Sequence, residues 1–281
     1  MVVDGTLGSG GHTQAMLEKI GANGKLIGFD QDPNAIARCK EKFAGDARVV
    51  LQNSNFRFID EALENLGIKT VDAVLFDIGI SSDQLAERGR GFSFQEEGDL
   101  DMRMNPEFGE KASYYLAKWP ESELARVFYE YGGERRSRRF ARAIVEERKR
   151  TPLNTVPDLV KVIEGALPYS QNFAKGKRPR WASRHPATKV FQALRILVND
   201  ELGALRSGID GAWKRLRIGG KLAVISFHSL EDRIVKEKFR SFASNHEGML
   251  VTRKPVVAKR EEIFDNPRSR SAKLRVVEKT S

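Results

Sequence analysis

Short apolar runs alternate with stretches of helical apolar spacing over the first ~90 residues, and few folds accommodate that alternation. The runs 2–3, 25–29, 49–51 and 71–76 read as strands, with helices over 13–20, 33–43 and 58–66 between them. Repeated strand–helix–strand units place parallel strands side by side and cover the sheet with helices. The alternation stops near Arg90. From there to Val190 the chain reads as helical and basic, punctuated by Pro and Gly, with a flexible link over 171–181. It then resumes with a helix over 190–213, a turn at Gly219-Gly220 and a strand over 221–226. The expectation is an α/β sheet in two parts, residues 1–90 and 191–281, interrupted by a helical insertion at 91–190.

A chain of 281 residues buries a core without covalent staples. Cys39 is the only cysteine, which excludes an intrachain disulfide and leaves no basis for a cysteine-built zinc site. The four histidines, His12, His185, His228 and His246, have no metal-ligand spacing, so no metal is expected. No apolar run approaches the ~18 residues of a membrane helix. The opening residues resemble neither a signal nor a transit peptide, so a cytoplasmic location without membrane association is expected. The net charge of +10 favours a polyanionic partner, and its placement says more than its size. Basic residues gather at Arg135, Arg136, Arg138, Arg139 and Arg142, at Arg148, Lys149 and Arg150, and at Lys175, Lys177, Arg178, Arg180 and Arg184. All lie in the middle third. They read either as phosphate contacts or as solvated helix faces paired to acids such as Glu134 and Glu146.

Asp4-Gly5-Thr6-Leu7-Gly8-Ser9-Gly10-Gly11-His12-Thr13 stands where the first strand turns into a helix. Glycines there allow a tight turn and close approach to a ligand. A dinucleotide-binding G-x-G-x-x-G is not completed, because Thr13 takes the place of the last glycine. Asp4 ends the strand ahead of the glycines, where an acid repels a pyrophosphate and suits the ammonium of a methionine moiety. That favours S-adenosylmethionine over a nicotinamide cofactor. Asp30 closes the second strand, where a carboxylate can accept from both ribose hydroxyls; the competing reading is a helix-start residue, a role open also to Asp32. Phe56 reads either as a cover for the adenine face or as an ordinary core aromatic. Asp77 ends the fourth strand at the edge where open parallel sheets hold their reaction crevice, making it a candidate for cofactor contact and for catalysis.

Other constellations are less specific. Ser226, His228, Glu231 and Asp232 hold the residue types of a hydrolase triad, but adjacency is not triad geometry and no G-x-S-x-G elbow accompanies them. His228 is expected to shape the crevice instead. His185, Lys189 and Arg195 read equally as an RNA guide or as a structural junction in which Arg195 pairs with an acid.

Taken together, ordered blocks across nearly the whole chain resemble the bacterial family of small-subunit (16S) ribosomal RNA cytosine-N4 methyltransferases, methyltransferase H. They are the glycine turn from Asp4 to Thr13, Phe29-Asp30-Gln31-Asp32-Pro33, the block from Asp77 to Leu85, Arg90-Gly91-Phe92-Ser93-Phe94, Leu100-Asp101-Met102-Arg103-Met104, Tyr131 to Glu134, Ala141 to Val145, His185 to Ile196, Ile225 to Lys236 and Asn266 to Lys273. The resemblance implies a Rossmann-like S-adenosylmethionine methyltransferase sheet with a helical RNA-recognition insertion. It implies S-adenosylmethionine as donor and a cytidine in the decoding region of 16S ribosomal RNA, within the small ribosomal subunit, as target. Carried over by motif, the cofactor contacts fall on Gly10, Gly11, His12, Asp30, Phe56, Asp77 and Gln84. Family members usually carry a segment ahead of the first strand, and Asp83, Asp99 and Asn105 stand where they commonly have Pro, Pro and Asp. Oligomeric state stays open, a homodimer being one alternative.

Two further classes remain: a non-catalytic ribosome-assembly factor that retains an S-adenosylmethionine site, and an NAD-dependent oxidoreductase. Within the methyltransferase reading, methylation of pyrimidine C5 needs a nucleophile, normally a thiolate. Cys39, inside the helix after Asp30, is poorly placed for it, and an exocyclic amine needs no covalent intermediate.

Overall fold

The computed structural model describes residues 1–87, 89–167 and 185–281. The link expected at 171–181 and the basic cluster at 175–184 lie outside the described residues. In chain order the first elements are β1 (Val2–Asp4), α1 (Gly11–Leu17), β2 (Leu26–Asp30), α2 (Pro33–Lys42), β3 (Val49–Asn53), a 3-10 turn (Phe56–Phe58), α3 (Ile59–Asn65) and β4 (Val71–Asp77). Helices follow: α4 (Ser82–Ala86), α5 (Ala112–Lys118), α6 (Glu121–Glu130), α7 (Ser137–Glu147), α8 (Val156–Gly165), α9 (Ala187–Asn199) and α10 (Glu201–Arg215). The chain closes with β5 (Leu216–Ser226), α11 (Ser229–Ser244), β6 (Gly248–Leu250), β7 (Val256–Val257), α12 (Arg260–Asp265), a 3-10 turn (Pro267–Ser271) and β8 (Lys273–Lys279). Among the described residues no helix is long and apolar enough to cross a membrane.

Two compact units result: residues 1–82 with 202–281, and the continuous stretch 83–201. Their boundaries fall at 82/83 and 201/202, where the sequence pattern had placed them at 90/91 and 190/191.

The first unit is built on one sheet of order β3-β2-β1-β4-β5-β8-β6, with β7 also paired to β8. The strands from β3 to β5 are parallel, and β8 runs antiparallel to β5. This is the α/β, Rossmann-like architecture. The chain winds from β1 outward to β2 and β3, then returns to β4 on the other side, so β1 and β4 flank the point where strand order reverses. In open sheets of this type ligands lodge beyond the carboxyl ends of the strands at that point.

Strand alternation decides which side chains enter which core. Ile27 and Phe29 of β2, Val74 and Phe76 of β4, and Leu222 and Val224 of β5 are buried with Ile59 and Leu63 of α3, Ile209 and Trp213 of α10, and Phe239 and Phe242 of α11. Trp213 and Phe242 stack with centroids 4.0 Å apart. On the opposite face of β2, Gly28 lets Leu7 and Leu51 close in, since a Cβ there would lie 2.8 Å from Leu7. Leu7 packs in a smaller cluster with Ile36 and Cys39 of α2, directly beneath the glycine turn.

Two expectations about the elements needed correction. The single helix over 190–213 is two, because Asp200 takes a left-handed conformation (φ 44°) between α9 and α10. Aspartate tolerates that region better than most side chains. Gly219 and Gly220 make no turn ahead of a strand; they lie within β5, at an irregularity in its pairing with β4 where Gly219 has φ 77°. The antiparallel strands β6, β7 and β8 had no counterpart in the sequence pattern. β8, Lys-Leu-Arg-Val-Val-Glu-Lys, hides because its buried positions include Arg275, which is held by Asp232 at 2.7 Å.

In the second unit α7 explains its own sequence. Ser137, Phe140, Ala141 and Ile144, at helical spacing, are buried, which turns Arg138, Arg139 and Arg142 outward. Arg148, counted with the basic runs, braces the unit by donating to the carbonyls of Leu116 and Trp119 at 2.6 and 2.7 Å. His185 is stacked on Phe94, with Nε2 2.9 Å from Glu164 and Nδ1 accepting from the Ala187 amide. Arg195 forms a two-pronged pair with the buried Glu201 at 2.6 and 2.8 Å. Both residues are engaged within the second unit, as the junction reading expects.

Candidate functional site at the carboxyl edge of the sheet

The glycine turn is held in shape from below. Gly10, the residue before α1, has φ 72°, and an added Cβ there would sit 2.7 Å from the Phe43 ring. Lys42 Nζ donates to the carbonyls of Ser9 and Gly10, and the Cys39 thiol points at the carbonyl of Gly8. Gly11 differs: a Cβ there would meet nothing within 4 Å, so the protein's own packing does not demand glycine. No side chain caps α1. A turn with a glycine facing open space at an uncapped helix start fits a group that must approach the backbone closely.

Asp4 takes a different place from the one its sequence position suggested. It is fully buried, with Oδ1 accepting from the Thr6 amide at 3.2 Å and Oδ2 from the Thr13 hydroxyl at 2.7 Å. Burial pushes its carboxyl above the usual range. Turned inward as a clamp on the glycine turn, it does not offer itself to an ammonium group.

Asp30 and Asp32 divide the work that the sequence left ambiguous. Asp32 caps α2 by accepting from the Asn34 amide at 3.0 Å. Asp30, at the end of β2, accepts from the Gly8 amide at 2.8 Å and the Asp32 amide at 2.9 Å. A carboxylate has about four acceptor positions, so two remain for a ligand. Burial pushes the Asp30 carboxyl up to about 6, with the two amides opposing that rise.

Asp77 ends β4 beside the turn. Its backbone amide donates to the Thr6 hydroxyl at 2.6 Å, and its Oδ2 lies 3.3 Å from His12 Nε2. That contact raises the His12 pKa above its ordinary value, burial opposing it. Asp77 Oδ1 is buried and has no hydrogen-bond partner among the described residues. A buried carboxylate oxygen left without a donor is costly unless something else supplies one.

The structure therefore brings Gly10, Gly11, His12, Asp30 and Asp77 to one edge of the first unit. Phe56 is half-buried, packed on Phe76 with centroids 4.8 Å apart and against Gly208, where a Cβ would come within 2.4 Å of its ring. Most of it serves as core, and only its accessible edge is open to a ligand. Gln84 is buried in α4 and belongs to the second unit. Sequence reading missed Thr6 and Thr13, whose hydroxyls lock the turn; their only signal was two threonines among glycines.

Ser226, His228 and Asp232 do not form a hydrolase triad. The Ser226 hydroxyl points at the Lys273 carbonyl, and Asp232 is held by Lys273 and Arg275. His228 caps α11: its Nδ1 accepts from the Glu231 amide while Glu231 accepts from the Phe227 and His228 amides.

Residues 1–280 match the family model described as the MraW methylase family. The chain is 46% identical to the ribosomal RNA small subunit methyltransferase H of Heliobacterium mobile, covering 99% of this chain and 92% of that one. The protein of the same description from Geotalea daltonii is 46% identical, with 99% and 91% covered. That from Deinococcus deserti is 48% identical, with 99% and 86% covered.

Proposed function

The chain belongs to the MraW methylase family, and from that premise we propose that it methylates the exocyclic N4 of a cytidine in the decoding region of 16S ribosomal RNA. S-adenosylmethionine supplies an electrophilic methyl group on a sulfonium. The geometry that best supports the reading is Asp77, a strand-end acid with an unpartnered buried oxygen beside a glycine turn that leaves room for a ligand.

Each residue has a distinct task. The turn at Gly10 and Gly11 admits the donor against the backbone, Asp30 accepts from the ribose hydroxyls, and the open edge of Phe56 borders the adenine. His12 holds Asp77 in place through their contact. Gln84 joins the donor contacts on the strength of its motif alone. In the transfer, the exocyclic nitrogen bonds to the methyl carbon as the carbon–sulfur bond breaks and its electrons return to sulfur. Asp77, or a backbone carbonyl of the segment 77–81, takes the proton that the nitrogen releases.

The Cys39 thiol bears on which atom is methylated. It is fully buried beneath the turn, and burial pushes its pKa up to about 11, so it holds no useful thiolate at neutral pH. Cys39→Ser is expected to retain turnover, and digested product RNA to contain N4-methylcytidine. Finding 5-methylcytidine by mass spectrometry, or losing all turnover in a folded Cys39→Ser protein, contradicts the assignment. The broader test compares small-subunit RNA nucleosides from cells with and without the gene: one N4-methylated cytidine should disappear. A non-catalytic assembly factor would leave the nucleosides unchanged.

The helical unit supplies RNA contacts in this reading. Arg135, Arg138 and Arg139 are exposed and make no ion pair among the described residues, while Arg142 is 3.6 Å from Glu121. Reversing charge at Arg138, Arg139 and Arg142 should weaken RNA binding and leave donor affinity unchanged. The salt slope should shrink by ~0.7–0.9 for each phosphate that is no longer neutralised. Filter binding across salt concentrations measures both, and an unchanged affinity and slope would make the run a solvated helix face.

A further inference from the structure

The segment 253–270 of the first unit combines features that its core does not explain. Phe264 on α12 is 86% exposed, and Val256 and Val257 of β7 are 54% and 58% exposed. Arg253, Lys254, Lys259, Arg260 and Arg270 are exposed and make no ion pair among the described residues. With Arg268 they give six basic residues against three acids, Glu261, Glu262 and Asp265. On α12, Arg260 and Phe264 are four residues apart and share a face, while Ile263 turns partly inward.

Pairing register fixes where this segment lies. Asp77 is opposite Ile225, Ile225 opposite Leu274, and Leu274 opposite Val256. One row across the sheet thus joins Asp77 to β7 through three strand spacings, about 14 Å. From β7 the chain passes through α12 into the 3-10 turn, where the Arg268 guanidinium donates to the hydroxyl of Ser82, in the segment just after β4. The segment therefore leaves the sheet at the level of Asp77 and is tied back beside the loop that follows it.

We propose that residues 253–270 grip a single-stranded stretch of the substrate RNA, with Phe264 stacking on an unpaired base and Lys259, Arg260 and Arg270 contacting phosphates. This rests on the RNA methyl-transfer reading above and adds a surface on the first unit to it. The pairing of an exposed ring with unpaired cations is the chemistry by which proteins hold single-stranded RNA, since every base offers a face for stacking and every nucleotide a charge. Net charge disfavours a second copy of the chain as occupant, because both the segment and the whole protein are positive. A duplex does not present a free base face to Phe264.

The test uses the full chain and a short unstructured RNA containing cytidines, with binding followed by fluorescence anisotropy at several salt concentrations. Phe264→Ala should weaken binding about tenfold, within the range for losing one stacked base, with little change in salt slope. Phe264→Trp should restore affinity and show indole quenching when RNA is added. Lys259→Glu with Arg260→Glu should weaken binding and reduce the slope. Calorimetry should give unchanged S-adenosylmethionine affinity in every variant, which separates a weakened grip from a damaged fold. Wild-type RNA affinity retained by Phe264→Ala and by the double variant overturns the proposal, as does selective loss of ribosomal-protein binding with RNA affinity intact. RNA that binds wild type through Phe264 yet is never methylated, even as small-subunit particles, defeats the methyl-transfer reading and leaves the grip standing.

Discussion

Replacing Asp77 with alanine is expected to lower kcat/KM for methyl transfer by ~10²–10⁴-fold, the range for removing a positioned proton acceptor. The expectation follows from position and from hydrogen-bond accounting. Asp77 ends β4 next to the point where strand order reverses, and its Oδ1 is buried with no partner among the described residues. The substitution spares the bond that orients the strand end, because the Thr6 hydroxyl accepts from the Asp77 backbone amide, not its side chain. A folded variant with intact thermal stability is therefore expected. The His12 pKa, raised first by its bond to Asp77, should move back down in Asp77→Asn, and an NMR titration of the ring reads that directly. Single-turnover transfer from labelled donor gives the rate. Near wild-type turnover in the folded alanine variant would assign the proton to a backbone carbonyl of the segment 77–81.

Asp30→Ala should weaken S-adenosylmethionine binding by about 1.5–3 kcal/mol, the scale for charge-assisted hydrogen bonds to a buried ligand. A pH signature accompanies it. In the unliganded protein burial raises the Asp30 pKa from 3.8 to about 6, so below that value the carboxyl holds a proton. Bonds from two ribose hydroxyls favour the charged form and lower the pKa in the complex. Affinity is then level in pH with respect to this group above about 6 and falls as pH drops below it, by at most about tenfold per pH unit for one proton. The same raised pKa works in the opposite sense on the stability of the unliganded protein. Its contribution is greatest below 3.8 and is lost as pH rises through about 6, because the charged carboxylate is the form burial penalises. Calorimetric titrations on both sides of pH 6 should show the acid-side loss of affinity in wild type and its flattening in Asp30→Ala. An unchanged dissociation constant in a folded Asp30→Ala protein would remove the carboxylate from the ribose.

The tight glycine turn, the acids closing β2 and β4 and the strand–helix alternation were legible in the amino-acid order. Each is local: a positive φ selects glycine at one position, and a strand ends where its apolar run ends. The basic run from Arg135 to Arg142 was legible as well, but which of its arginines face outward was settled by the burial of Ser137, Phe140, Ala141 and Ile144 in α7. Partners distant in the chain were not legible, and they decided what several polar residues do. Asp4 became a buried clamp because Thr13 and Thr6 fold back onto it, and His185 and Arg195 were taken up by Glu164 and Glu201. The antiparallel β8 escaped notice because a short strand with a buried Arg275 has no apolar run, and Asp232, brought from α11, makes that burial tolerable. Phe264 and its neighbouring cations had no pattern of their own in one dimension. They gain a position relative to Asp77 only through the pairing of β4, β5, β8 and β7, since a sheet register is set by strands whose separation along the chain carries no signal.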